Sequence, residues 1–250
     1  MKEKEITSLQ HPLVKHLVNL RQDRNYRYTF KRVLLSGRKL IKELSRTTRL
    51  HTLLLEKGTL PSVEADEVIY TTPEILKKVT GLENPEPIAA EIAMPEVQDL
   101  SSANFLLILD RISDPGNLGT LLRTARALGW DGAFLTQGST DPYNEKTLRA
   151  AKGATFTLPW RSGTWEELDT LLNNKPFTVL AADASGKTLN GCVFSSPLAL
   201  ILGNESHGVS LEIKKNVESI AIPMMGRMES LNVASAGAIL MHDLKERSHG

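Results

Sequence analysis

Apolar residues recur along this 250-residue chain in short blocks separated by stretches of helical spacing, and the rhythm breaks once. In the first third, apolar runs at 33–35, 52–55 and 67–70 read as short strands. Segments 11–22, 36–46 and 73–79 space their apolar positions as helices do, the last with Pro73 near its start. The alternation predicts a small α/β module. Between 85 and 104 the sequence PEPIAAEIAMPEVQDLSSAN turns rich in Pro, Glu and Ser, holds one short apolar stretch at 88–92 and then loses its period. A boundary is expected there, dividing the chain into residues 1–95 and 103–250.

Downstream the alternation is clearer. Runs at 105–109, 133–135, 177–182, 198–202 and 219–222 are short and mostly apolar, as strands covered on both faces are. Between them lie a helix that follows the turn Asp114-Pro115-Gly116-Asn117 and ends near Gly129, a helical segment at 144–152, and a long final helix at 231–246. This is the pattern of a mostly parallel sheet with helices on both faces. Such sheets bind ligands beyond the carboxyl ends of their strands, so chemistry is to be sought in the loops after Leu109, Leu202 and Ile222.

Composition narrows the classes. The chain is 41% hydrophobic and 24% charged, ordinary values for a globular protein. One cysteine, Cys192, allows no internal disulfide and no cysteine-based zinc site. The six histidines are scattered without metal-ligand spacing, so surface roles and no metal are expected. No apolar run is long enough to span a bilayer, and the N-terminus, with Glu3 and Glu5, resembles neither a signal nor a transit peptide; a cytoplasmic protein is expected. The net charge of +1 conceals an asymmetry: residues 1–84 carry +6, the remainder −5, and 11–49 alone carry +9. A basic segment of that kind attracts a polyanion, although a solvated basic face has the same composition.

Familiar nucleotide motifs fail. The loop after 105–109 lacks the Gly-x-Gly-x-x-Gly spacing, Ala181 stands where a P-loop ending at Gly186-Lys187-Thr188 needs glycine, and Gly-x-Ser-x-Gly is absent. Three segments at predicted strand ends remain. In 110–129, Leu118, Leu121, Leu122, Ala125 and Leu128 form an apolar stripe, with Arg123 about 160° from its centre by the 100° helical step. Here Asn117 reads either as a helix cap or as a site residue. In 200–210, Gly203 follows a buried strand, where it lets backbone approach a ligand, and Asn204 and Glu205 put polar groups at the rim. In 220–240, a loop after Pro223 leads to a helix that Ser230 is placed to cap, and that begins with Ala234, Ser235, Ala236, Gly237 and Ala238.

Together, Asn-Leu-Gly…Arg, Gly-Asn-Glu and Ser-Leu-Asn-Val in this order resemble the signature motifs of the SpoU (TrmH-like) RNA 2′-O-ribose methyltransferases of the SPOUT superfamily, over about residues 105–245. Asp141-Pro-Tyr…Lys146…Arg149 looks like the family's second-helix region, and residues 1–95 look like its L30e-like RNA-binding domain. Ser206 and His207 depart from a usually glycine-rich stretch. The resemblance implies a trefoil knot, a homodimer with cofactor sites near its interface, and S-adenosylmethionine as methyl donor. It implies that backbone at Gly203, Ile222 and Leu231 holds the adenosine, that Asn117, Glu205 and Asn232 shape the site, and that Arg123 is the principal catalytic residue. A guanidinium holds its proton, so stabilisation of a developing alkoxide suits Arg123 better than proton abstraction. Arg24, Arg27, Lys31 and Arg32 would grip RNA, ribosomal RNA before tRNA, with Tyr26, Tyr28 and Phe30 interleaved for stacking on single strands. A non-catalytic RNA-binding assembly factor on the same fold is the alternative; the retained polar residues favour the enzyme.

Overall fold

The computed structural model describes residues 2–189, 194–210, 213, 217–226 and 230–248. The chain forms two compact units, one of residues 1–96 with 143–145 and one of residues 97–142 with 146–250. Cys192 and the loop residues 227–229 lie outside the described residues.

The first unit is a five-stranded sheet in the order β1-β4-β3-β5-β2, with β1 (Lys2–Ile6), β2 (Arg32–Ser36), β3 (Leu50–Glu56), β4 (Glu67–Thr71) and β5 (Ile88–Ala93). β5 runs antiparallel to both its neighbours; β1, β4 and β3 are mutually parallel. The stretch at 88–92 is therefore an interior strand of the sheet and not the start of a linker. Two alanines give it little apolar bulk, and burial on both faces removes the alternation that marks most antiparallel strands. β1, with the sequence KEKEI, pairs on one side only, and its charges suit an edge strand while hiding it from hydrophobic pattern.

Helices α1 (Pro12–Gln22), α2 (Arg24–Phe30), α3 (Arg38–Leu44) and α4 (Pro73–Thr80) complete the unit. Val14, Leu17 and Leu20 of α1 and Ile75, Leu76 and Val79 of α4 share one buried cluster with Leu34, Leu54 and Ile69 of the sheet. α2 escapes the sequence reading because Asp23 does two things at once. Its N–H donates to Asn19 O at 2.9 Å, closing α1, and its carboxylate accepts from Tyr26 N at 3.1 Å, opening α2. The next turn corrects one expectation. Arg27, expected on the RNA-facing surface, is only 2% exposed. Its Nη1 donates to Leu20 O at 2.7 Å and Arg21 O at 2.8 Å, satisfying carbonyls that the end of α1 leaves without intrahelical partners.

The second unit holds a six-stranded, wholly parallel sheet in the order β11-β9-β10-β6-β7-β8. Its strands are β6 (Phe105–Leu109), β7 (Gly132–Thr136), β8 (Trp160–Gly163), β9 (Thr178–Thr188), β10 (Leu198–Leu202) and β11 (Glu218–Ala221). Among its described helices are α5 (Pro115–Ala127), α6 (Glu145–Ala151, whose first residue belongs to the first unit), α7 (Ala154–Thr157), α8 (Trp165–Asn173) and α9 (Val233–Arg247). Alternate residues of β6 feed opposite cores. Phe105, Leu107 and Leu109 join α5 and α9 residues such as Leu121 and Leu240, whereas Leu106 and Ile108 join Phe134 and Leu168. β8 and α8 went unread in the sequence; α8 opens on a Thr164–Glu167 capping box.

The chain first builds outward from β6 to β7 and β8, then returns to lay β10 between β6 and β9. That reversal is a topological switch, the place where open α/β sheets leave a crevice at their carboxyl edge. β9 adds a second irregularity: its pairing with β11 jumps from Ala181 to Lys187, so residues 182–186 leave the ladder at the same edge. Gly186 permits the return, since a Cβ there would lie 2.6 Å from Ile220 N.

Arg27→Ala is expected to destabilise the protein by about 2–3 kcal/mol, the worth of hydrogen bonds from a charged donor plus lost packing, with no separate loss of RNA affinity in the folded fraction. Urea denaturation beside RNA binding checks both halves.

Candidate active site

Side chains from the three signature segments meet through one hydrogen-bonded chain. Asp114, not Asn117, caps α5: its Oδ1 accepts from Asn117 N at 2.7 Å. Asn117 is then the third residue of the helix, and its side chain is free to point elsewhere. Its Nδ2 donates to Glu205 Oε1 at 3.0 Å, and its Oδ1 accepts from Asn232 Nδ2 at 3.0 Å. Asn232 caps α9 in place of Ser230, its Oδ1 accepting from Ala234 N at 2.9 Å and Ser235 N at 3.3 Å. A carboxylate only accepts, so it fixes which way Asn117 faces, and Asn117 in turn fixes Asn232. Glu205 also accepts from Ser113 Oγ at 3.0 Å, Ser113 N at 3.3 Å and Asp114 N at 3.3 Å.

Below this chain lies a second tie that sequence reading missed. Asp110, at the end of β6, is fully buried. Its carboxylate accepts from Ser210 N at 2.9 Å, Ser210 Oγ at 2.5 Å and Thr136 Oγ1 at 3.1 Å, and Arg111 Nε lies 3.3 Å away. It thus joins the ends of β6 and β7 to the far side of the loop after β10. Asn204 ties the near side, with Nδ2 donating to Arg111 O at 2.8 Å and Oδ1 accepting from Ser206 N at 2.9 Å. The only available signal was a charged residue directly after an apolar run, which marks a strand end as often as a site.

Gly203 answers to this loop. Asn204 and Gly208 exchange backbone hydrogen bonds of 3.1 and 2.8 Å, and a Cβ on Gly203 would fall 2.2 Å from the Gly208 carbonyl carbon. The glycine is demanded by the chain's own backbone, whatever ligand lies outside it.

A cavity of about 870 Å³ opens beside these ties, within the range of small-molecule sites. Gly203, Ile222 and Leu231 all line it, together with Glu205 and Asn232. The residues displaced from β9, notably Asp183 and Gly186, form another wall that the sequence had not indicated. Leu202, Ile220, Val233 and Leu240 make it apolar at depth, and Asp183, Asn204 and Glu205 supply the polar groups. Arg123 is exposed on α5, opposite the buried stripe, and is not among the lining residues. The remaining expected RNA contacts lie in the first unit: Arg24 and Lys31 are exposed, Arg32 is half-buried, and Arg27 is withdrawn as a helix cap.

Glu205 is held below its ordinary carboxylate range. Partial burial works against its charge and is the largest single influence, but hydrogen bonds from Asn117, its own backbone and Ser113 together outweigh it. Among the described residues, no group of three or more His, Cys, Asp or Glu side chains is placed to hold a metal, and no helix is long and apolar enough to cross a membrane.

Residues 104–242 match the model of the SpoU rRNA Methylase family, and residues 11–90 match that of an MRM3-like substrate binding domain. The chain belongs to the SpoU family. A Bacillus subtilis member, 23S rRNA (guanosine(2553)-2′-O)-methyltransferase RlmP, is 33% identical, over 97% of this chain and 99% of its own. Human mitochondrial rRNA methyltransferase 3 is 26% identical, over 92% of this chain and 71% of its own. Among solved family structures, an AdoMet-bound rRNA methyltransferase from Sinorhizobium meliloti superposes with a TM-score of 0.86 at 27% identity, covering 98% of both chains.

Two outcomes are expected. Glu205 has a lowered pKa in the fold, so its stabilising contribution is complete above the ordinary carboxylate value and is lost as pH falls through the lowered one. Thermal melts of Glu205→Gln and wild type should therefore differ at neutral pH and converge in acid. Asp110→Asn replaces one of two acceptor oxygens with an N–H donor, facing Ser210 N in one orientation and Arg111 Nε in the other, and should cost about 2–4 kcal/mol in urea denaturation because either way a donor loses its acceptor.

Proposed function

We propose that the protein methylates a ribose 2′-hydroxyl of ribosomal RNA, with S-adenosylmethionine as donor, in the cytoplasm. The observation that carries this reading is the hydrogen-bonded chain from Glu205 through Asn117 to Asn232, which draws three distant signature segments to the mouth of one cavity. The sequence relatives named above are rRNA methyltransferases, and the solved structure is of one bound to AdoMet.

The lining fits that donor. Apolar walls from Leu202, Ile220, Ile222 and Val233 suit a purine, while the carboxylates of Asp183 and Glu205 suit a ligand carrying positive charge at its sulfonium and amine. Gly203, Ile222 and Leu231 line the cavity, and their backbone would hold the adenosine. When bound, the donor supplies an activated methyl group.

The chain's own residues do the rest. A ribose hydroxyl is a weak nucleophile, and holding it in line supplies much of the rate. Asn232 lines the site, and Asn117 holds it in one orientation from behind. Arg123 would stabilise the developing alkoxide beside a phosphate of the RNA while the hydroxyl proton passes to water, as the methyl leaves the sulfonium and a neutral thioether remains. Because Arg123 does not line its own chain's cavity, it reaches the donor across the interface of a homodimer. Ile239, 47% exposed on α9, is an apolar side chain open to such an interface. The first unit supplies RNA affinity through Arg24, Lys31 and Arg32, with phosphate contacts that position the substrate more than they read it.

Arg123→Ala is expected to lower the rate of radiolabelled methyl transfer to ribosomal RNA at least a hundredfold, leaving donor affinity by calorimetry within about threefold of wild type. Arg123→Lys keeps the charge and loses the planar fork, and should recover only part of the rate. Full activity of the alanine variant would remove Arg123 from the mechanism. No transfer by wild type, with donor binding intact, would favour a non-catalytic RNA-binding role.

A further inference from the structure

The first unit contains a polar and aromatic cluster that fold and methyl transfer leave unexplained. Tyr26 and Phe30, one turn apart on α2, stack with centroids 4.4 Å apart and planes tilted 30°. His16 of α1 meets Phe30 edge-on at 5.3 Å. Its Nδ1 lies 2.9 Å from Tyr26 Oη and its Nε2 lies 3.1 Å from Glu91 Oε1. A carboxylate cannot donate, so His16 Nε2 carries the hydrogen toward Glu91, and in the neutral ring Nδ1 accepts from the tyrosine hydroxyl. Glu91, a largely buried residue of the interior strand β5, also accepts from Thr52 Oγ1 at 2.8 Å and lies 3.7 Å from Arg32 Nε.

The arrangement is fixed on its inner side and open on its outer one. Tyr26 covers part of the Phe30 ring, yet Phe30 remains 49% exposed, so part of one ring is open to a stacking partner. Arg32 spends one N–H on Lys31 O at 3.2 Å and approaches Glu91 with another, which leaves further guanidinium donors unused. Lys31 stands exposed between Phe30 and Arg32, in a left-handed conformation with φ of 50°. One open aromatic ring, two cations beside it and an anchored support match a nucleotide whose base has left the helical stack. The net charge of +9 over residues 11–49 selects a polyanion as the occupant.

We propose that this cluster is a subsite for one unpaired nucleotide of the RNA. Its base stacks on the open part of Phe30 and its phosphate lies against Lys31 and Arg32. His16, Tyr26 and Glu91 hold the ring and Arg32 in place. The proposal rests on the reading of the protein as an RNA methyltransferase, and adds that the RNA is engaged at a single-stranded position apart from the ribose being methylated.

The test uses the full chain, a short single-stranded oligoribonucleotide and a duplex of the same length. Phe30→Ala should weaken single-strand binding roughly tenfold and duplex binding little, with the slope of log affinity against log salt unchanged. Arg32→Gln should flatten that slope by roughly 0.7, the share of one phosphate contact on a single strand. Phe30→Trp should keep affinity and add tryptophan emission that the oligonucleotide quenches. Unchanged single-strand affinity in Phe30→Ala, equal losses on both probes, or a changed oligomeric state with unchanged affinity would each overturn the subsite. If wild type binds RNA and transfers methyl while remaining indifferent to Phe30, the subsite alone is wrong. If wild type neither binds RNA nor transfers methyl, the underlying reading fails with it.

Discussion

The Glu205 carboxylate is the group on which the candidate site's geometry depends. It has acceptors and no donors, so every neighbour must turn a hydrogen toward it, and the constraint propagates. Asn117 presents its amide hydrogens to Glu205 and thereby its oxygen to Asn232; Asn232 presents its amide hydrogens in return and its oxygen to the first N–H groups of α9. The donors all point back along the chain to one negative charge, and such aligned bonds strengthen one another. Asparagine is required at both links because a short planar side chain must donate at one end and accept at the other. Aspartate would repel Glu205, and serine would not span the gap.

A polar chain at a rim holds its shape only over a rigid floor, and the parallel sheet supplies it. β10 is buried along its whole length and lies between β6 and β9. Asp110 fastens the loop after β10 to the ends of β6 and β7, using a buried charge whose hydrogen bonds are supplied by Ser210 and Thr136. The two ties are complementary: Asp110 fixes where the loop returns, Glu205 where its tip meets the other motifs. Gly203 lies between them, at a point where the returning backbone leaves no room for a side chain.

How much of this was legible in the sequence follows from the kind of force at each place. Strands such as 105–109 and 198–202 announce themselves because burial on both faces demands unbroken apolar residues. β5 was hidden by its small residues, β1 by the charges of an edge, and α2 by its brevity and by Asp23 serving two helices. Asn117, Glu205 and Asn232 were found through motif order, but the bonds joining them were not, since contacts between residues some ninety apart leave no local trace. Ser230 and Asn117 were reasonable caps by type; Asn232 and Asp114 hold those positions because their oxygens reach the free N–H groups. Arg27 misled for a similar reason. Its charge reads as surface in composition, and only the end of α1 directly before it shows that the guanidinium has carbonyls to satisfy.

Electrostatics divides the molecule's work. The cavity of the second unit is rimmed by Asp183 and Glu205, which favours a cationic ligand and disfavours a polyanion at the same rim. RNA therefore needs its attraction supplied elsewhere, and the first unit carries the excess of positive charge. With Arg27 turned inward and Arg49 paired to Asp66 at 2.8 Å, that excess is smaller at the surface than composition suggests, and Arg24, Lys31 and Arg32 weigh more. On the proposed reading, Arg123 is the cation brought to the carboxylate-rimmed cavity. It carries a fixed charge on a delocalised group that ties up no acceptor, which suits it to meet a phosphate and a developing alkoxide together. A lysine would offer the same charge at a single point and could not span both oxygens.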